Sequence, residues 1–358
     1  MTVITKIQTI SLQKFLLSLS FFRIHFFAIF CCGLFFTSCR HQRSKSISFY
    51  YWRTSFHTDA LEKQTLQNNG VQTLYIRYFD VDIAPADSVA KVIAPIIFDT
   101  TSITCSIIPV IYIKNRVLER LGDTGTSMLA QKVYHLVTNI NHSINITSKE
   151  IQFDCDWTET TKNRYFLFLQ QYKMLSKQII SATIRLHQVK YANRTGIPPV
   201  DHGVLMYYNM GDIDAGTVNS IYDKTIAVKY NPFIKTYPLT IDIALPIFAW
   251  ALQVREGKVV KLLNKMNFLH FENDSNFTHT SNNRYAVKHA CFHGGYYFKE
   301  EDAVKTEHVP EEDLLDIINQ VNRYSNHRIR NLIFYDLDKE NLLLYDKNVF
   351  QKILDRLN

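Results

Sequence analysis

Beyond Lys45 the chain alternates short, near-continuously apolar runs with segments whose apolar residues recur every three or four positions. The first kind reads as strand and the second as helix. Eight strand runs stand out: SISFYYWRTSF from Ser46, VQTLYIRYFDVDI from Val71, ITCSIIPVIYI from Ile103, EIQFDCDW from Glu150, IISATIRLHQV from Ile179, HGVLMYYNMGD from His202, LTIDIALPIFAWAL from Leu239 and NLIFYDLD from Asn331. Runs that are apolar throughout fit strands of a parallel sheet covered on both faces.

Helical patterns fill most of the gaps. The segment from Thr58 to Asn69 has Asp59 and Glu62 in capping-box spacing and stops at Gly70, a good left-handed terminator. Leu129, Val133, Leu136, Val137 and Ile140 share one helical face, as do Tyr165, Phe168, Leu169, Tyr172 and Leu175. Pro310, followed by Glu311, Glu312 and Asp313, places proline in the first turn of a helix and acids at its positive end. This alternation predicts an α/β fold, a single-domain (β/α)8 TIM barrel over residues 46–358, with a doubly wound open sheet as the alternative. No Gly-rich phosphate loop appears, which counts against a nucleotide-binding version of that alternative. The stretch from Gly257 to Glu307, with polar runs such as ENDSNFTHTSNNR, reads as a long insertion after strand 7. On a barrel such connections sit on the face where ligands enter.

The first 38 residues read differently. A start holding Lys6, Lys14, Arg23 and no acid leads into the apolar run Phe26–Phe36, the layout of an export signal. The apolar run is short of the ~20 residues a membrane-spanning helix needs. Phe36-Thr37-Ser38-Cys39 resembles a bacterial lipobox, which implies acylation of Cys39 and a tether over residues 39–45. An ordinary secretory signal or an uncleaved anchor are the alternatives. The lipobox reading implies a cell-envelope protein, periplasmic or surface-exposed, held to the membrane by its lipid at about 0.8 kcal/mol per buried methylene.

Composition narrows the field further. With 46% hydrophobic and 13% aromatic residues the chain is neither disordered nor collagen-like. Of the net charge of +7, three charges belong to the first 38 residues, and the rest is too dispersed to argue for nucleic acid. The 24 Phe and 20 Tyr suit aromatic walls, in a core, a sugar-binding cleft or both. Outside the leader, Cys105, Cys155 and Cys291 read as free thiols rather than a disulfide framework. No C-x-x-C, H-E-x-x-H or H-x-H spacing supports a zinc site, and neither a metal nor a cofactor is expected.

Candidate chemistry comes from strand parity. In IQFDCDWTE, Phe153, Cys155 and Trp157 share one face while Asp154, Asp156 and Thr158 share the other, which in a barrel points inward. Two interior carboxylates are costly unless paired and push at least one pKa upward. Such pairs occur chiefly at functional sites; the alternative is that either aspartate caps the next helix or pairs with an interior arginine. In the next run Thr183, Arg185 and His187 share a face, so Arg185 is such a partner, structural or catalytic. His187 reads either as a ligand-binding or acid–base group or as part of the wall. Tyr208 faces inward with Met206 on the sixth strand and would offer its hydroxyl to Asp156, with Asn209 at the tip. Trp250 reads as a floor for stacking a sugar ring or as a core residue. Trp52, Asp80 and Asp336, with Tyr51, Asp82 and Asp338, fall at strand ends and would rim the cleft or begin helices.

Phe153-Asp154-Cys155-Asp156-Trp157 together with Met206-Tyr207-Tyr208-Asn209 resembles the family 18 glycoside hydrolases, the chitinases and endo-β-N-acetylglucosaminidases, which are (β/α)8 barrels. Their fourth strand carries Asp-Gly-x-Asp-x-Asp-x-Glu and their sixth Met-x-Tyr-Asp. Asp154 and Asp156 match the second and third Asp, and Tyr208 the Tyr. The resemblance implies that Asp156 orients an N-acetyl group and that Tyr208 supports its oxygen. Ile151 and Gln152 replace Asp-Gly, Asn209 replaces Asp, and Thr158 stands where the proton-donating Glu belongs. A threonine hydroxyl cannot replace a carboxylic acid in that role. Glu159 lies one residue further with the wrong parity, and serves only if the chain turns after Trp157. The expectation is an exported, membrane-tethered glycosidase-like enzyme acting on glycans, with Glu159 or a rim carboxylate as acid. The alternative is a glycan-binding surface lipoprotein on a barrel without its proton donor.

Overall fold

In a computed structural model of the protein, residues 45–84, 86–87, 89–99, 104–281, 283–325, 329 and 331–357 are described. The expected leader and the acylation site Cys39 lie outside them.

Eight strands form the barrel: β1 (Ser46–Tyr51), β2 (Thr73–Asp82), β3 (Ser106–Ile113), β4 (Glu150–Asp154), β5 (Ile179–Arg185), β6 (His202–Met206), β7 (Ile241–Pro246) and β8 (Asn331–Tyr335). Each pairs in parallel with its sequence neighbour, and β1 pairs with both β2 and β8, so the sheet closes into a ring. Each apolar run contributes one strand of the barrel, and the open sheet is excluded.

The helices cover the outer faces as the periodicity requires. They are α1 (Ala60–Asn68), α2 (Asp123–Ser143), α3 (Lys162–Ser176), α4 (Glu311–Ser325) and α5 (Val349–Leu357), with shorter turns after β5 and β6. At α1 the Asp59 carboxylate accepts the Glu62 N–H at 2.8 Å and the Glu62 carboxylate accepts the Asp59 N–H at 3.1 Å, completing the capping box. Phe153 on the outer face of β4 meets Phe168 and Tyr172 of α3 at ring-centroid distances of 5.0 and 4.8 Å. Trp157 stacks on Tyr165 at 5.1 Å. Burying each such aromatic contributes roughly 2–3 kcal/mol, so α3 fixes which face of β4 looks inward.

Two segments depart from the sequence reading. β5 ends at Arg185, and Leu186–Lys190 is a helical turn, so His187 leaves the strand parity that would have aimed it inward. The Leu239 run breaks after Pro246: Trp250–Arg255 opens a second, antiparallel sheet rather than continuing the barrel. In this insertion the strands run in the order Lys258–Asn264, Trp250–Arg255, Ala303–Glu307, Arg284–Val287, Phe277–Ser281. It has its own apolar cluster, including Leu263, Phe271, Phe277, Tyr285 and Phe298.

The strand starts define the base of the barrel. There Asn331 donates to Asp242, Ser181 donates to Glu150, and the His202 ring lies 3.2 Å from Glu150. The opposite end, at the strand C-termini, is the mouth, the functional end of (β/α)8 enzymes.

Candidate functional site

The register of β4 against β5 pairs Phe153 with Ala182, which sets Asp154 beside Thr183, and Asp156 follows just beyond the end of β4. Asp154 is buried and accepts the Thr183 hydroxyl at 2.6 Å. Arg185 grips Asp156 with two prongs, Nε to Oδ1 at 2.6 Å and a terminal nitrogen to Oδ2 at 3.2 Å. Burial, reinforced by the Asp156 charge, pushes the Asp154 carboxyl up to about 6, against the pull of Arg185 and Thr183. Burial works against the charge on Arg185, but its bond to Asp156 and the charges of both aspartates hold its pKa above the ordinary value.

Tyr208 lies beyond the end of β6 and is buried. Its ring stacks on Tyr335 at 5.4 Å with 24° between planes, and meets the edge of Phe248 at 5.7 Å. The hydroxyl has no hydrogen-bond partner among the described residues; the bond to Asp156 that the sequence reading expected is not formed. Tyr335 continues to Trp52 at 5.5 Å, and Trp52 to Tyr50 at 6.0 Å, so one aromatic wall runs from β6 round to β1. Sequence reasoning passed over Tyr335, although it sits at the last position of a recognised strand.

Asp336 follows Tyr335 through a cis peptide bond and is buried. It accepts the Asn341 side-chain amide at 2.6 Å, and burial, with the Asp338 charge, pushes its carboxyl up to about 6. Asp80 is paired with Arg77 at 2.6 Å. A register shift between Arg77 and Phe79 brings these two residues, three apart in sequence, to the same inner face. Arg77 was not legible because a bulge has no sequence signature of its own here.

The remaining candidates are placed differently. The chain turns after Trp157, with the Thr158 N–H donating to the Thr161 hydroxyl at 2.9 Å. The Thr158 hydroxyl is engaged with Thr160 at 2.9 Å and Thr161 at 3.2 Å. Glu159 is half-exposed and pairs with Arg194 at 2.9 Å, on the connection that follows β5. His187 is exposed on its helical turn; desolvation lowers its pKa while Asp156 acts in the opposite sense. Asn209 is exposed, with φ of 56°.

Trp250 does not end a barrel strand: it lies opposite Glu307 in the insertion and touches Phe248 at 5.2 Å. Its indole N–H donates to Glu307 at 2.8 Å. Glu307 also accepts the Ser220 hydroxyl and forms a fully buried ion pair with Lys305 at 2.6 Å, while Lys305 donates to the Val218 carbonyl at 2.7 Å. This cluster joins the connection after β6 to the insertion and fixes the Trp250 ring. Among the described residues no cluster of His, Cys, Asp and Glu is suited to hold a metal ion. Cys105, Cys155 and Cys291 are free thiols, and of the three Cys155 is the buried one. A cavity of about 590 Å³ lies between α1 and the starts of β2 and β3, away from the mouth, lined by residues such as Leu66, Val71 and Cys105.

The closed ring of eight parallel strands with helices outside defines a (β/α)8 TIM barrel. Comparison with solved structures finds chains of similar fold. The spore cortex-lytic enzyme SleL of Bacillus cereus is 13% identical, with a TM-score of 0.51 over 88% of this chain and 74% of that chain. A GH18 chitinase from Cycas revoluta, in complex with allosamidin, is 9% identical, with a TM-score of 0.49 over 87% of this chain and 100% of that chain. A chitinase from Rhizomucor miehei is 12% identical, with a TM-score of 0.45 over 86% and 100% of the respective chains. At these identities the likeness is one of fold. No protein-family model and no curated protein matches the chain.

Proposed function

We propose that the protein is an exported, membrane-tethered glycan-binding lipoprotein whose glycosidase-like barrel binds sugars without cleaving them. The observation that carries this reading is the state of the carboxylates near position 158. Asp156 is held at both oxygens by Arg185, Glu159 is turned to Arg194, and the Thr158 hydroxyl is occupied by Thr160 and Thr161. Glycoside cleavage needs a carboxylic acid open to the leaving oxygen. Trp52 and Tyr335, partly exposed and backed by the buried rings of Tyr50, Tyr208 and Phe248, supply ring surface suited to the apolar C–H faces of a pyranose.

Hydrolysis is the second reading, favoured by Asp154 and Asp336, each pushed up to about 6 and so able to exchange a proton near neutral pH. The test is calorimetric titration and product analysis of the purified protein on chitin-derived, N-glycan and neutral glycans. Binding without release of new reducing ends supports the first reading; turnover abolished by Asp156→Asn overturns it. The tether is tested separately: metabolic labelling with a fatty acid is expected in the wild type and lost in Cys39→Ala, and an unlabelled wild-type protein sinks the lipoprotein part.

A further inference from the structure

A groove of about 570 Å³ lies at the mouth where β1 ends, beside Trp52, whose ring belongs to the inner aromatic wall. Its lining combines Trp52 with the cationic side chains Arg53 and Lys265, the imidazole of His57, and the hydroxyls of Thr54 and Ser55. No carboxylate lines it among the described residues. The acids that neutralise its two permanent cations stand behind them. Arg53 pairs with Glu62 at 2.8 Å and Lys265 with Asp338 at 2.5 Å. The side chains of Glu62 and Asp338 are 0% and 7% exposed, against 29% and 48% for Arg53 and Lys265. Each buried acid therefore fixes a cation in place while the cation's outer side remains open to the groove. His57 differs, since its partner Asp99, 3.5 Å away, is itself exposed.

We propose that this groove receives an anionic oxygen substituent, a carboxylate or phosphate, carried by the glycan whose neighbouring ring packs on Trp52. The inference rests on the glycan-binding reading and names the class of sugar: acidic rather than neutral. Lys265 supplies N–H donors beyond the one directed at Asp338, and Arg53 keeps its planar fork oriented by Glu62 and by the His57 carbonyl, which it meets at 3.1 Å. Held in this way, both cations lose little side-chain freedom when a ligand arrives.

The experiment titrates the full protein with chitotriose and maltotriose, each in three forms: neutral, oxidised to the carboxylate at C6, and phosphorylated at C6. Measurements are made at low and high salt. The acidic forms are expected to bind more tightly, by about 3–10-fold at low salt, and to lose that margin as salt screens exposed charges. Comparison of the carboxylate and phosphate arms identifies which oxyacid is preferred. In Lys265→Gln the margin falls by about 3-fold while neutral affinity is unchanged, and Lys265→Arg restores it. A thermal melt identifies any general loss of fold in the Gln variant, and His57→Gln provides a second probe on a side chain free of buried partners. Neutral and acidic sugars binding equally would overturn the acidic class and leave glycan binding intact. An acidic margin untouched by both Gln variants would overturn this groove as its source. No binding by either sugar series in any form overturns the glycan reading and this inference with it.

Discussion

Replacing Asp154 by asparagine tests the electrostatics of the barrel interior. The carboxyl is buried, and its pKa is pushed up from 3.8 to about 6, by burial first and by Asp156 second. A carboxyl whose folded pKa lies above its unfolded value stabilises the fold fully below that unfolded value, and the contribution is lost as pH rises through the folded pKa. For Asp154 the window therefore runs from about 4 to just above 6. Two decades of proton affinity at about 1.4 kcal/mol each set a ceiling of roughly 3 kcal/mol on the cost of keeping this group ionised at neutral pH. Asparagine carries no charge, and its carbonyl oxygen can still accept the Thr183 hydroxyl that now reaches Asp154 at 2.6 Å. Asp154→Asn is expected to be more stable than the wild type by about 1–3 kcal/mol near pH 7.5, the gain shrinking towards zero by about pH 4. Urea unfolding of both proteins across that range, with unchanged m-values, measures it. A variant less stable than the wild type at neutral pH, or a difference independent of pH, would refute the reasoning. Either result would mean that attraction to Arg185 outweighs the loss of hydration.

Three further substitutions probe the surroundings. Glu307→Gln leaves the fully buried Lys305 without its counter-charge, so a loss of about 3 kcal/mol is expected in urea unfolding. Proteolytic cutting within residues 209–222 should accelerate in the same variant, and unchanged stability together with unchanged cutting would show that the pair does not hold this connection. Tyr208→Phe removes a buried hydroxyl with no described partner; thermal unfolding should rise by the equivalent of about 1 kcal/mol. A drop in stability would mean that the hydroxyl is satisfied in the folded protein. Glu159→Gln, at a half-exposed surface pair, should change stability by less than about 0.5 kcal/mol and leave glycan binding unaltered, and loss of any measured turnover in this variant would reinstate it as an acid.

The barrel was legible because its strands are buried on both faces, so each announced itself as an uninterrupted apolar run. Parity within β4 and β5 carried Asp154 and Thr183 to one interior face, with Asp156 and Arg185 meeting at the strand ends above them. Parity fails wherever the backbone leaves regular geometry, and the misses follow that rule. The shift in β2 brought in Arg77, the helical turn after Arg185 took His187 out, and the break after Pro246 handed Trp250 to the insertion. The insertion itself was read as polar loop because its strands are short and bury at most one face, as in Arg284–Val287. Such alternation is a weaker signal than a continuous run.

A proton donor for glycoside cleavage has to meet two conditions: it must hold a proton near neutral pH, and it must reach the leaving oxygen in an open cleft. The acids of this mouth divide between the conditions. Asp154 and Asp336 are held near 6, but both are buried, one under the Thr183 hydroxyl and the other against the Asn341 amide. Asp156 and Glu159 reach solvent, but each is engaged by a guanidinium. Burial that raises a carboxyl's pKa also withdraws it from substrate, and a guanidinium that pairs with an exposed carboxylate occupies its oxygens. A glutamic acid at position 158 is what the family 18 pattern provides to escape this opposition, and here that place is taken by a threonine tied to its neighbours. The partly exposed rings of Trp52 and Tyr335 and the outer sides of Arg53 and Lys265 carry no such conflict, so the recognition proposed for this mouth does not depend on a proton donor.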